Sequence, residues 1–299
     1  MSSFGSVVDD EKRLGRVMLA PAISYILLLV GVPFLLALFY SVSDVTVGNR
    51  DLHFVGLENF ANALRNPTFL RSLRNSFIFA LVSQTLVVVL ASVLAAALQK
   101  DFRGKWLVRM LILLPWVAPI SLGSIGWLWI FEPIYSVINW TLRSVGIFGP
   151  KTWPIWLGEP KLAMASVITV HVWRLLPLAT VITLGGLTSI PQDIHDAAWV
   201  DGARFWRHHF QITVPLVLPI MLVAMLFGIV FAFTDMIVIF VLTRGGPYDM
   251  TQVLASLAFF TGIDGGDLAG GAAIALFLFP MLAVSAIFLL RLARRSEVI

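Results

Sequence analysis

The sequence predicts an all-α polytopic membrane protein with six transmembrane helices, and three observations carry that prediction. Of its 299 residues, 59% are hydrophobic and only 13% charged, where soluble domains carry about a quarter of charged residues. The mean hydropathy is +0.90. Apolar runs of about 20 residues, the length that crosses roughly 30 Å of hydrocarbon as helix, recur at about 17–43, 76–99, 107–131, 162–188, 212–243 and 271–290. A closed barrel would instead alternate apolar and polar residues along short strands. The run ALVSQTLVVVLASVLAAAL at 80–98 does not alternate.

Taken in order, residues 1–16 form a polar N-terminal segment, and the first apolar run reads as a retained span. It is too long for a signal peptide and has no small-x-small cleavage site. Between the first two runs, GLENFANALRNPTFLRSLRNS at 56–76 suits one or two short amphipathic helices. Asn66-Pro67 breaks it, with a fresh helix start expected there. The loop KDFRGKWLVR at 100–109 holds the densest basic cluster. In so short a loop the positive-inside rule has most force, which places both termini and the 189–211 loop in the cytoplasm. Twelve basic residues then lie inside, and eight, including Arg50 and Lys151, are spread over longer outer loops. Segment 132–160 is rich in proline and in the tryptophans that favour headgroups, and is expected to fold back along the outer surface. Segment 244–267 opens on a Gly-Gly-Pro turn, followed at 253–263 by an apolar stretch too short to span. Residues 17–295 therefore read as one membrane domain, with 296–299 a short tail.

Little here points to catalysis. There is no cysteine, which excludes disulfides and thiolate metal sites. No metalloprotease motif and no phosphate-binding loop occurs; GPKT at 149–152 lacks the upstream glycine and strand. Asn139-Trp140-Thr141 fits a glycosylation sequon. The sequence pI of about 9.7 does not indicate nucleic-acid binding, because the basic residues gather at span ends.

Two ionisable residues lie inside apolar runs, where a lipid-facing charge is costly. Arg174 falls in the fourth span beside His171 and Trp173, and Asp235 in the fifth. They face a polar passage and hold sugar hydroxyls, or they bond each other or a partner subunit and fix helix packing. Trp127, Trp129 and Trp173 suit stacking on sugar rings or filling of the packing. Gly266 and Gly270 form a small-xxx-small pair that permits close helix approach. Pro115, Pro119, Pro177, Pro219 and Pro280 either unwind their helices near the bilayer centre or kink them.

The most informative stretch is DAAWVDGARFWRHHFQITVP at 196–215, a polar segment lodged between two apolar runs. It resembles the EAA loop of ABC importer permeases. LLPWVAPISLGSIGWLWIFEPIYSVIN at 113–139, WLGEP at 156–160, VWRLLPLATVITLGGLTSIPQDIHDAAWVDGA at 172–203 and VLTRGGPYDMTQVL at 241–254 extend the likeness. From about 17 to 295 the chain is similar to the membrane subunits of carbohydrate-uptake ABC importers of the maltose and glycerol-phosphate type, in the first-permease subgroup with the Gly-Gly-Pro turn. That resemblance implies the type I importer permease fold in a bacterial-type inner membrane. It makes Asp196, Ala197, Ala198, Asp201, Gly202, Ala203, Ile212 and Pro215 an ATPase-coupling loop. Asp196 replaces the family's usual glutamate, and Val214 its usual leucine. It leaves Trp173, Arg174, Asp235 and Trp127 as candidates to line the substrate passage. The implied partners are a second homologous permease, a dimer of ATP-binding subunits that hold ATP and Mg, and an extracytoplasmic solute-binding protein. This chain itself would need no cofactor. The implied cargo is a di- or oligosaccharide, with amino sugars and glycerol-phosphate compounds next. A stand-alone ion-coupled carrier, with Asp235 and Arg174 as relays, is the alternative; a membrane enzyme comes third.

Overall fold

Prolines and small residues decide where the apolar helices start, bend and stop. The computed structural model describes residues 11–49, 52–149 and 153–296. Arg50, Lys151, most of the 149–152 turn, residues 1–10 and residues 297–299 lie outside the described residues. Among those described, regular structure is helical apart from an isolated bridge between Ser43 and Phe54.

The first span is α1 (Glu11–Ile26) joined through a π-helical turn, Leu27–Gly31, to α2 (Val32–Ser41). Val32 N–H donates to Leu27 O five residues back, and Pro33 follows. A proline ring clashes with the carbonyl four residues back, and widening the preceding turn relieves that clash. No residue in the most apolar stretch of this span is buried among the described residues, although α2 packs on the start of the last span and Phe34 meets Phe279 at 5.9 Å.

After α3 (Glu58–Arg65), the second span is α4 (Pro67–Gln99). It begins nine residues before the apolar run. Asn66 is extended, its side chain accepts from Thr68 N–H at 2.9 Å, and Pro67 occupies the first turn, where its missing N–H costs nothing. The polar residues 71–75, expected in a short amphipathic helix after the fresh start at Asn66-Pro67, are helical as expected but run on into the span without a break. Side chains here are used: Asn75 Nδ2 donates to the carbonyls of Asp249, Met250 and Gln252, Arg71 to that of Tyr248, and Ser76 Oγ accepts from Leu254 N–H.

The third span is not one rod. α5 (Lys105–Val117) and α6 (Ile120–Ile130) meet at 98°. Ala118 is extended (ψ 139°), the conformation that a following proline enforces. Next, α7 (Val137–Ser144) starts on a Ser136 cap. Asn139 is fully buried there, accepting from Trp156 Nε1 at 2.8 Å and donating to Pro133 O. It is a strut inside the loop and has no free amide for a glycan.

The fourth span, α8 (Pro160–Thr188), is continuous through Pro177. The fifth breaks before its end: α11 (Val214–Thr234) stops, Asp235 and Met236 leave the helix, and α12 (Ile237–Leu242) resumes. Between spans four and five lie α9 (Gln192–Val200) and α10 (Phe205–His208). The apolar stretch after the Gly-Gly-Pro turn forms α13 (Leu254–Phe259) and a π turn, Phe260–Asp264. The last span is α14 (Leu268–Leu276) followed by α15 (Leu278–Ser296). Its close approach is not made by the Gly266–Gly270 pair. A Cβ on Gly271 would sit 2.5 Å from Gly262 Cα, whereas one on Gly270 meets the capping carboxylate of Asp267.

α4 lies along α8, with α11 packed on both and α15 on α11. Phe79, Val87, Val167, Leu175 and Ile229 are buried where these helices meet, and Ile239 of α12 joins the same cluster. α6, the second half of the broken third span, packs on α12, the second half of the broken fifth.

Candidate functional site

Two places concentrate polar residues that the packing does not explain. One is the loop between the fourth and fifth spans. α9 follows Pro191 and carries Asp193 in its first turn, where a carboxylate favours the helix dipole. It stops in a Schellman motif: Ala203 N–H donates to Ala198 O at 2.9 Å and Gly202 N–H to Trp199 O at 3.1 Å. Gly202 takes φ +73°, a left-handed conformation that costs a glycine nothing. Small residues sit where the turn closes, with Ala198 and Ala203 buried. Asp196, Ala197, Asp201 and Gly202 remain exposed. Asp196 accepts from Gln192 Nε2 at 3.0 Å and has no ion pair among the described residues.

Around that turn the surface is apolar. Trp199, Trp206 and Phe210 are exposed and Val200 is 87% exposed. Trp199 stacks on His208 (5.7 Å, 20°), and His208 Nε2 shares a proton with His195 Nδ1 at 2.9 Å. Burial, followed by His195 and His209, lowers the pKa of His208 below 6.5. The two histidines lie on either side of the Schellman turn, so no local sequence pattern signals their pairing. Beyond them, His209–Thr213 forms a second π turn ahead of a proline: Val214 N–H donates to His209 O, and Pro215 opens α11. Ile212 and Pro215, both half-buried, seat the loop on the fifth span.

The other place is an open cleft beside the break in that span. It encloses about 460 Å³ and is lined by Ile120, Arg174, Phe231, Thr234, Asp235 and neighbouring residues. Arg174 and Asp235 share the cleft but do not bond each other. Asp235 Oδ2 is 2.6 Å from His171 Nδ1, and Oδ1 accepts from Val238 N–H at 3.3 Å. Its carboxylate therefore caps α12 and ties it to α8. His171 and Asp235 side chains are 0% and 2% exposed. Arg174, just under one turn beyond His171, is directed elsewhere. Its guanidinium lies 5.8 Å from the Trp116 ring and 6.0 Å from that of Phe231. Trp127 and Trp173 meet edge to face at 5.7 Å and do not line this cleft. His171, Trp116 and Phe231 are the residues that sequence reasoning passed over. Only His171, polar within an apolar run, left a trace.

Residues 87–298 match the family described as binding-protein-dependent transport system inner membrane component. A trehalose/maltose transport system permease protein of Thermococcus litoralis is 30% identical over 284 residues, 95% of each chain. An sn-glycerol-3-phosphate transport system permease protein of Agrobacterium fabrum is 28% identical, covering 97% of this chain and 98% of its own. Among solved structures, a chain of a bacterial alginate ABC transporter in complex with alginate pentasaccharide-bound periplasmic protein superimposes with a TM-score of 0.83. It covers 99% of this chain and 98% of its own at 18% identity, a likeness of fold.

Proposed function

Since the chain belongs to the binding-protein-dependent transport system inner membrane components, as a carbohydrate-uptake ABC importer permease with the type I fold, we propose that it forms half of a translocation passage. The cargo is a di- or oligosaccharide, an amino sugar or a glycerol-phosphate compound. Family membership sets aside the stand-alone carrier.

The observation that carries the coupling part of the proposal is the Schellman-terminated α9, which presents Trp199 and Val200 beside Asp196 and Gly202. A short rigid helix with exposed apolar side chains suits a groove on a cytoplasmic ATPase subunit, which holds ATP and Mg. The Asp196 carboxylate is one methylene shorter than the family's glutamate. Among the described residues only Gln192 holds it, so it is available to a partner cation. Beside the break in the fifth span, Arg174 and Asp235 line the passage, and Trp127 and Trp173 act from behind as packing. A second permease covers the apolar face of the first span, and a solute-binding protein delivers the cargo from outside. ATP and cargo then bias one two-state assembly from different sites.

A gentle detergent pull-down from native membranes, followed by mass spectrometry, tests the assembly. Recovery of an ATPase, a second permease and a binding protein supports it. Recovery of this chain alone, active in vesicles without ATP, overturns it.

A further inference from the structure

We propose that the cargo carries a negative charge (a carboxylate, sulfonate or phosphate on the saccharide) and that Arg174 is the group that meets it; this rests on the permease reading above. The Arg174 guanidinium makes no hydrogen bond or ion pair with any described residue. Its position inside an apolar helix makes that state expensive, since charges within spans are paired or face a cavity. The one carboxylate in its cleft is engaged, with Asp235 Oδ2 on His171 and Oδ1 on the Val238 N–H. No other acidic side chain lines the cleft.

What holds Arg174 is aromatic. Trp116 and Phe231 take the guanidinium at 5.8 and 6.0 Å, and those two rings pack edge to face at 5.6 Å. Aromatic contact fixes a guanidinium while leaving its N–H fork unspent. The cleft of about 460 Å³ falls within the range of small-molecule sites. Sugar hydroxyls could accept from the fork but would leave it without a direct ion-pair partner in a low-dielectric passage. An anion accepts bidentately and neutralises it.

The test uses the assembled transporter in vesicles: this chain, its second permease, the ATPase dimer and the binding protein. ATP-driven uptake is compared for matched probes: cellobiouronic acid against cellobiose, sulfoquinovosyl glycerol against glucosyl glycerol, and glycerol 3-phosphate against glycerol. Uptake of the charged member of a pair over its neutral one is expected. Arg174→Gln should lower that uptake roughly 10- to 100-fold, the scale of a lost charge-assisted hydrogen bond, with Arg174→Lys intermediate and affinity for the isolated binding protein unchanged. ATP-driven uptake of neutral members alone, or of no charged member, overturns the proposal, as does an Arg174→Gln effect below about twofold. Loss of the second permease from the purified Arg174→Gln assembly also overturns it, because the missing anion is then that subunit's carboxylate. Uptake that needs no ATP would instead remove the permease reading on which the inference rests.

Discussion

Gly202 closes α9 because the turn needs φ +73° and two backbone donors aimed back at Ala198 and Trp199. No other side chain or backbone lies within 4 Å of a Cβ built there, so a substitution is judged by backbone strain and by what it shows a partner. Aspartate enters the left-handed region more readily than most residues, so Gly202→Asp should leave the helix stop intact and the chain inserted. It adds a carboxylate beside Asp201 on the exposed turn. ATP-driven uptake in vesicles should fall at least about tenfold, the equivalent of roughly 1.4 kcal/mol of lost docking; wild-type uptake would remove the loop from the mechanism. The glycine was legible in the sequence because its spacing from Ala197 and Ala198 is local. The pair His171–Asp235 was not, since 64 residues separate its members. Removing either alone leaves a buried polar group without its partner. Thermal unfolding of His171→Ala, Asp235→Ala and the double variant should therefore reveal a coupling of about 1–3 kcal/mol. Additive losses would mean that the two do not act as a unit.

At the scale of elements, the chain bends where proline or an unpaired backbone forces it to. Pro119 follows the extended Ala118, and Pro33 and Pro215 each follow a π turn. Of these only Pro119 was marked in the sequence as a proline that unwinds or kinks its helix, and its geometry was not readable, because a proline is tolerated in α8 at Pro177 while the third span bends by 98° at Pro119. What differs is the packing: Pro177 is buried in a helix held between α4 and α11, which is a tertiary property. α9 and α10 are joined by His195 and His208. His208 is held below 6.5 by burial, then by His195 and His209, so the unfolded loop takes up a proton more readily than the folded one. Its contribution is complete above the ordinary histidine value and is lost as the pH falls below it. Hydrogen exchange across 192–213, corrected for intrinsic rates, should therefore rise on going from about pH 7.5 to about pH 5.5. His208→Gln should abolish that difference; an unchanged pH response in the variant would place the sensitivity elsewhere.

For the whole molecule, the helix pairs divide into a packed centre and an uncovered rim. α4, α8 and α11 bury one another, while the first span touches the rest of the molecule through α2 on α14 and leaves its most apolar stretch unburied. Membrane lipid or a second subunit must cover that stretch, because no described residue buries it. Reconstituted alone, the chain should therefore neither hydrolyse ATP nor import sugar. Addition of the ATPase, the second permease and the binding protein should restore both, and ATP-independent uptake by the chain alone would contradict the assembly.

By itself the sequence determined the membrane class, the helical content and the position of the polar loop at 196–215, and it marked Pro119, where the third span bends. Hydropathy, proline and left-handed glycine act over a few residues, so each leaves a local mark. Only the tertiary structure decided that Asp235 belongs to His171, that Arg174 is left to aromatic rings and an open cleft, and that 67–75 extends the second span. A charge in a low-dielectric interior takes the partner on whichever helix face meets it, and that meeting depends on how distant spans pack.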